Sequence, residues 1–213
     1  MRLQIRGFDI YKGHLDPAAQ AKLVANVRTV ARAAPMFSPR TPYGKPMSVR
    51  MTSAGNVGWY ADSLGYRYRS VHPSGTNWPA IPKSVLQLWH ELTGLDHKPD
   101  CCLINYYGEG SRMGLHQDKD EADFSWPVLS VSLGDAGLFR IGNKTRAGNT
   151  EKIWLESGDV VVMGGDARLT YHGVDKIRFG SSSLLTHGGR INLTCRIVRL
   201  RGSCTRPPAF SVF

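Results

Sequence analysis

Residues 128–165 read VLSVSLGDAGLFRIGNKTRAGNTEKIWLESGDVVVMGG, four short apolar runs separated by Gly, Asp, Asn and Lys. Each run is too short for a stable helix and is rich in Val, Ile, Leu, Phe and Trp, the composition of a strand bounded by turns. The same texture begins at CLINYY (residues 102–107) and returns in RLTYHG (168–173) and RINLTCRIVRL (190–200). Seven or eight short strands with turns between them predict a β-sandwich, jelly roll or barrel. No internal repeat or low-complexity stretch interrupts the pattern.

Towards the N-terminus the texture changes. Asp16-Pro17 is a helix start, with a capping carboxylate and Pro in the first turn, and Leu23, Val24 and Val27 carry an apolar stripe to about Arg32. After Pro82, Val85, Leu88, Trp89 and Leu92 recur at helical spacing until Gly94, which places Trp89 in a core. Between these helices, residues 34–80 are rich in Pro, Gly, Ser, Tyr and Trp and suit hairpins and long loops. The 213 residues fit one domain: helices and loops in 1–100, strands in 101–200 and a Pro- and Arg-containing extension in 201–213.

Composition bounds the partners. Lys and Arg number 27 against 17 Asp and Glu, a formal charge of +10, which draws the chain to polyanions without identifying one. Cys101, Cys102, Cys195 and Cys204 form neither a CxxC pair nor a secreted disulfide framework, so reduced thiols in a cytoplasmic protein are expected. The opening MRLQIRGFDIYKGHLD has no apolar targeting segment, and no run is long enough to span a bilayer.

Within the strand-rich half, His116-Gln117-Asp118 is followed later by Tyr171-His172-Gly173. Residues two apart in an extended segment point to one side, so His116 and Asp118 offer an imidazole and a carboxylate together. Two His and one carboxylate on one face of an octahedron leave adjacent positions free, the arrangement of non-haem Fe(II) oxygenases. An HxD pattern also occurs by chance. His187 competes as third ligand, but it abuts Gly188-Gly189 in a turn, whereas His172 closes the run RLTYH.

Arg190-Ile191-Asn192-Leu193-Thr194-Cys195-Arg196 alternates with period two. If Ile191, Leu193 and Cys195 face a core, Arg190, Asn192, Thr194 and Arg196 face the other way together. Two buried guanidiniums repel each other and lose hydration unless anions lie between them, which suits a small dicarboxylate held by Arg. A solvent-facing strand is the alternative.

With HxD, then H, then RxNxTxR, and with LINYY, VSLG, GDVVVMGG, PMSVRMTSAGNVGWY and GYRYRS around them, the chain resembles the AlkB family of nucleic-acid dealkylating dioxygenases over roughly residues 35–200. The resemblance implies a mainly β fold with flanking helices: a double-stranded β-helix (jelly-roll) core with an N-terminal nucleotide-recognition lid. It implies Fe(II) on His116, Asp118 and His172, and 2-oxoglutarate on Asn105, Tyr107, Arg190, Asn192 and Arg196, with O2 as oxidant. Trp59, Tyr66 and Tyr68 of the lid, Asp120 beside the metal and Arg146, the weakest match, would contact substrate. The expected substrates are N1-methyladenine and N3-methylcytosine in single- or double-stranded DNA, with RNA as a further possibility, and the enzyme is expected to be a monomer.

The aromatic and basic run from Trp59 to Arg69 fits that lid physically, since rings can stack on an extracted base and guanidiniums can meet phosphates. Ordinary hairpins favour the same rings. Two other readings stay open: the same oxidation directed at a tRNA base or protein side chain, and a non-catalytic jelly-roll module that binds nucleic acid.

Overall fold

A computed structural model describes residues 1–41 and 43–198. The expected extension at 201–213, with Cys204, lies outside the described residues. The chain opens with a hairpin, Arg2–Ile5 (β1) and Phe8–Tyr11 (β2), then the helix Pro17–Ala33 (α1). Val49–Gly55 (β3), Gly58–Asp62 (β4) and Gly65–Arg69 (β5) precede the helix Lys83–Thr93 (α2). The strands that follow are Cys101–Tyr107 (β6), Met113–His116 (β7), Val128–Gly134 (β8), Ala136–Ile141 (β9) and Glu151–Leu155 (β10). Val160–Met163 (β11), His172–Arg178 (β12) and Arg190–Arg196 (β13) complete the described strands.

A seven-stranded sheet in the order β1-β2-β11-β8-β13-β6-β3 faces a four-stranded sheet in the order β10-β9-β12-β7, while β4 and β5 pair separately. This is the jelly-roll core. Both helices begin and end where the sequence places them. Asp16 caps α1 by accepting from the Ala19 amide at 2.7 Å, and Gly94 closes α2 at φ 68°, in the left-handed region that glycine enters without steric cost.

The large sheet is covered on both sides, which explains its mixed strands. Leu129, Val131 and Leu133 of β8 and Ile191, Leu193 and Cys195 of β13 pack with Leu23, Val24 and Val27 of α1 and Val85, Leu88 and Trp89 of α2. On the inner side, Phe8, Met51, Leu103, Phe139, Ile141 and Leu155 form a second cluster with the small sheet. The polar residues of β8 and β13 face that inner side, where a cavity opens; Ser132, Arg190, Thr194 and Arg196 are buried and Ser130 and Asn192 half-buried.

The N-terminal hundred residues do more than cover the mouth. β1, β2 and β3 join the large sheet, although the texture of 34–80 suits hairpins and loops and nothing before it reads as a strand. The run RLTYHG also differs: β12 starts only at His172, and a short 3-10 turn, Gly165–Ala167, precedes Arg168. No helix among the described residues is long and apolar enough to cross a membrane.

Candidate metal and diacid site

His116 ends β7 and His172 begins β12, and the two residues are direct partners across the antiparallel pair. Cross-strand partners lie side by side on one face, so the two imidazoles meet with ring centroids 4.6 Å apart. Asp118 follows two residues after His116. Its Oδ1 lies 3.7 Å from His116 Nε2 and its Oδ2 lies 3.9 Å from His172 Nε2. One ligand atom from each residue lies within 4.8 Å of the others.

The ring orientation is set by the backbone. His116 Nδ1 lies 2.9 Å from the Gly114 carbonyl oxygen, and His172 Nδ1 lies 3.0 Å from that of Thr170. A carbonyl only accepts, so each Nδ1 carries the proton and each Nε2 keeps its lone pair for a metal. Burial, then the neighbouring His116, pulls His172 down to about 4 against the opposing pull of Asp118, so its imidazole is neutral near pH 7. Burial alone would raise Asp118, but Arg196 first, then His172 and His116, outweigh it and hold the carboxyl well below the usual range. Asp118 Oδ2 is buried and makes no hydrogen bond among the described residues, an orphan acceptor that a cation would satisfy. A structural zinc would close its shell with a fourth ligand, and no fourth His, Cys, Asp or Glu joins this group among the described residues.

Arg190 and Arg196 face the same cavity, as the alternation of β13 predicts, but their surroundings differ. Arg196 is paired: Nη2 donates to Asp118 Oδ1 at 2.8 Å, Nη1 donates to the Tyr68 hydroxyl at 3.1 Å, and Nε lies 3.6 Å from Glu121 Oε1. Arg190 donates to the Leu155 carbonyl at 3.1 Å and to Ser132 Oγ at 2.6 Å, and its Nε has no hydrogen-bond partner. Among the described residues it makes no ion pair while only 1% exposed, and burial lowers it to about 10. A buried guanidinium without a carboxylate is costly, and an incoming carboxylate removes that cost. Gly137 leaves the room, because a Cβ there would stand 2.9 Å from Arg190 Nε.

Amides and hydroxyls complete the wall between the arginines. Asn192 donates to Ser130 Oγ at 2.7 Å and to the Val131 carbonyl at 3.1 Å, while Thr194 donates to Asn192 Oδ1 at 2.9 Å. Asn105 Nδ2 lies 3.4 Å from Asn192 Oδ1, and its own Oδ1 is buried and unpartnered. Burial pushes the Tyr107 phenol up to about 12, so it remains a hydrogen-bond donor.

The cavity has a volume of about 370 Å³ and contains the metal triad together with Asn105, Tyr107, Arg190, Asn192 and Arg196. Trp59 and Tyr66 line its mouth, stacked with centroids 5.3 Å apart and planes 21° apart. Trp59 Nε1 donates to Asp120 Oδ2 at 2.8 Å, which ties the β4–β5 hairpin to the loop that carries Asp118. Asp120 and Arg146 also line the cavity.

Tyr68 is placed otherwise than expected. It does not line the cavity; its hydroxyl hydrogen-bonds Glu121 and accepts from Arg196, behind the metal triad. Sequence reasoning also missed Glu121 and Arg168, a buried pair with Arg168 Nη2 3.0 Å from Glu121 Oε2. Glu121 sits in the charged run DKDEAD, which reads as a solvated loop, and Arg168 sits in a run that reads as a strand. Ser132 escaped notice inside VLSVSLG, although period two places it beside Ser130 on the cavity face.

Residues 7–196 match the family model described as the 2OG-Fe(II) oxygenase superfamily. The chain is 53% identical over 196 residues to the alpha-ketoglutarate-dependent dioxygenase AlkB homolog of Caulobacter vibrioides (strain NA1000 / CB15N), covering 92% of this chain and 89% of that protein. It is 40% identical over 183 residues to the alpha-ketoglutarate-dependent dioxygenase AlkB of Escherichia coli (strain K12), covering 84% of each. Among solved structures, that described as "The structure of OsALKBH1" superposes with a TM-score of 0.78 at 28% identity, covering 92% of this chain and all of that one. Proteins similar over shorter stretches include a DNA N(6)-methyladenine demethylase of Arabidopsis thaliana and a tRNA demethylase of Schizosaccharomyces pombe.

Proposed function

The chain belongs to the AlkB-type 2OG-Fe(II) dioxygenases, and from that premise we propose that it oxidatively removes small alkyl groups from damaged bases in nucleic acid. The observation that carries this reading is one cavity in which a His-Asp-His triad, a buried arginine without an ion pair among the described residues and a stacked Trp59–Tyr66 pair converge. His116, Asp118 and His172 would hold Fe(II), and Arg190 and Arg196, with Asn105, Tyr107 and Asn192, would hold 2-oxoglutarate.

Together with O2, the bound iron and 2-oxoglutarate supply the oxidation that turns an N-methyl carbon into formaldehyde, with succinate and CO2 as the other products. The protein's own residues bind and orient. Arg190 fixes one end of the diacid by its charge. His172, neutral near pH 7, gives Nε2 to the metal without first losing a proton. No protein nucleophile takes part: Cys101, Cys102 and Cys195 are buried, and burial pushes the Cys101 thiol up to about 12.

Substrate class follows from the mouth. An enzyme that works on a base extracts it and replaces the lost stacking with flat side chains, a task suited to Trp59 and Tyr66. N1-methyladenine and N3-methylcytosine carry a positive ring charge, which suits the Asp120 carboxylate held there by Trp59. Alkylation also blocks base pairing, so flipping costs less at a lesion. On the hairpin, Arg67 is paired with Asp62, while Arg69 lies over the Tyr60 ring at 5.1 Å, a cation beside aromatic rings that favours a phosphate-bearing substrate over a protein side chain. The protein acts as a monomer in the cytoplasm on alkylated DNA, with RNA as a further substrate.

The test is to supply Fe(II), 2-oxoglutarate, ascorbate and air with oligonucleotides carrying one N1-methyladenine, as single- and double-stranded DNA and as RNA, and to weigh the products by mass spectrometry. Loss of one methylene is expected. Succinate formation with every oligonucleotide mass unchanged would retain the dioxygenase and refute the base-repair reading.

A further inference from the structure

Behind the metal triad lies a buried cluster whose charges alternate in sign. Arg168, which follows the 3-10 turn and is 4% exposed, directs Nη2 to Glu121 Oε2 at 3.0 Å, Nη1 to the Asp118 main-chain carbonyl at 2.5 Å and Nε to the Trp126 carbonyl at 2.9 Å. The Phe124 ring covers its guanidinium at 5.4 Å. The other oxygen of Glu121 receives the Tyr68 hydroxyl and lies 3.6 Å from Arg196 Nε. Arg196 in turn donates to the carboxylate of Asp118. The order is therefore Arg168, Glu121, Arg196, Asp118: two cations and two carboxylates, each inner member between two opposite charges.

Such a chain is neutral as a whole and poorly tolerant of losing an end. Without Arg168, Glu121 would be a buried carboxylate with Arg196 as its only cation among the described residues. The long Nε to Oε1 approach of 3.6 Å leaves Arg196 room to move towards Glu121, and that movement draws it away from Asp118. Asp118 would then lose the partner that holds its Oδ1 and leaves its unbonded Oδ2 directed towards His172 Nε2.

We propose that Arg168 is a positioning residue of the metal centre: by neutralising Glu121 it keeps Arg196 on the Asp118 carboxylate. It touches neither substrate nor metal. Its bonds to the carbonyls of Asp118 and Trp126 fix its own guanidinium in the loop that carries the ligand. The inference rests on the reading of His116, Asp118 and His172 as a metal site.

The test is anaerobic titration of the metal-free protein with Co(II), followed by its visible ligand-field absorption, in wild type, Arg168→Gln and Glu121→Gln/Arg168→Gln. Outer partners of metal ligands typically change affinity by about 10- to 100-fold, so Arg168→Gln should weaken Co(II) by about tenfold or more and alter the band shape. The double variant removes the competing carboxylate and should recover most of the affinity. A purely structural role would give no such rescue, because the second substitution only removes further bonds. Wild-type affinity in Arg168→Gln, or a double variant as weak as the single, would overturn the proposal. Should Arg168→Gln fail to fold, Arg168→Lys takes its place. Lysine keeps the charge that neutralises Glu121, so Co(II) affinity close to wild type supports the role and a loss of about tenfold despite the retained charge overturns it. Failure of the wild-type protein to bind Co(II) would remove the metal site itself, and this inference with it.

Discussion

Arg190 and Arg196 stand on the same face of β13, yet their partners divide their work. Arg196 is compensated by Asp118 and Glu121, whereas Arg190 makes no ion pair among the described residues, with Asp159 acting on it only from farther off, and gains most from a carboxylate ligand. Losing a buried charge-assisted contact costs about 2–5 kcal/mol, so Arg190→Met should raise KM for 2-oxoglutarate by at least about 30-fold. Succinate kinetics across 2-oxoglutarate concentrations check it. At this scale the sequence was readable where periodicity exposes a residue. The two-residue alternation turns Arg190, Asn192 and Arg196 inward together, and HxD sets His116 beside Asp118. It was silent where a partner comes from distant sequence. Glu121 and Arg168 are 47 residues apart, and neither local pattern marks them as buried.

In the proposed function, the β4–β5 hairpin is the element that handles substrate. Trp59 is 9% exposed, stacked on Tyr66 and bonded to Asp120, so it belongs partly to the core and partly to the mouth. Stacking on one base contributes about 1–3 kcal/mol. Trp59→Ala should therefore raise KM for a methylated oligonucleotide severalfold or more while leaving succinate formation without oligonucleotide nearly unchanged; parallel loss of both would assign Trp59 to the fold alone. The hairpin is closed by Asp62 and Arg67, paired at 2.6 Å, and the Arg67 hydrogen bond, then the Leu64 amide, lowers Asp62 to about 2. A carboxyl lowered on folding contributes stability above its ordinary value of 3.8 and loses it as pH falls through about 2. NMR titration of the Asp62 carboxyl should find its midpoint near 2, returning towards 3.8 in Arg67→Ala. Among the elements, α1 and α2 were legible because caps and apolar spacing agree. β1 and β2 were not, since each has only four residues with charges between them. β3 was missed because its buried Thr52 and Ser53 carry no apolar signal.

At the scale of the whole molecule, the seven- and four-stranded sheets hold the cavity between them, and the full chain carries a formal charge of +10. The strand texture after Cys101 made the jelly roll legible, but only the folded sheet order brings His116 of β7 against His172 of β12. The charge and the cavity should respond differently to salt. Phosphate contacts release counterions, so oligonucleotide affinity should fall by about tenfold or more between about 50 and 200 mM salt. 2-Oxoglutarate, held by an arginine 1% exposed, should respond far less; fluorescence titrations of both ligands across that range check the contrast. The most direct measurement of the whole scheme is product stoichiometry. Protein loaded anaerobically with Fe(II), 2-oxoglutarate and an N1-methyladenine oligonucleotide is exposed to air, and succinate, formaldehyde and restored adenine are counted together. Equal amounts of the three, with none from His116→Ala, are expected; formaldehyde and restored adenine from the His116→Ala protein, or succinate with no restored base, would contradict the proposed reaction at this site.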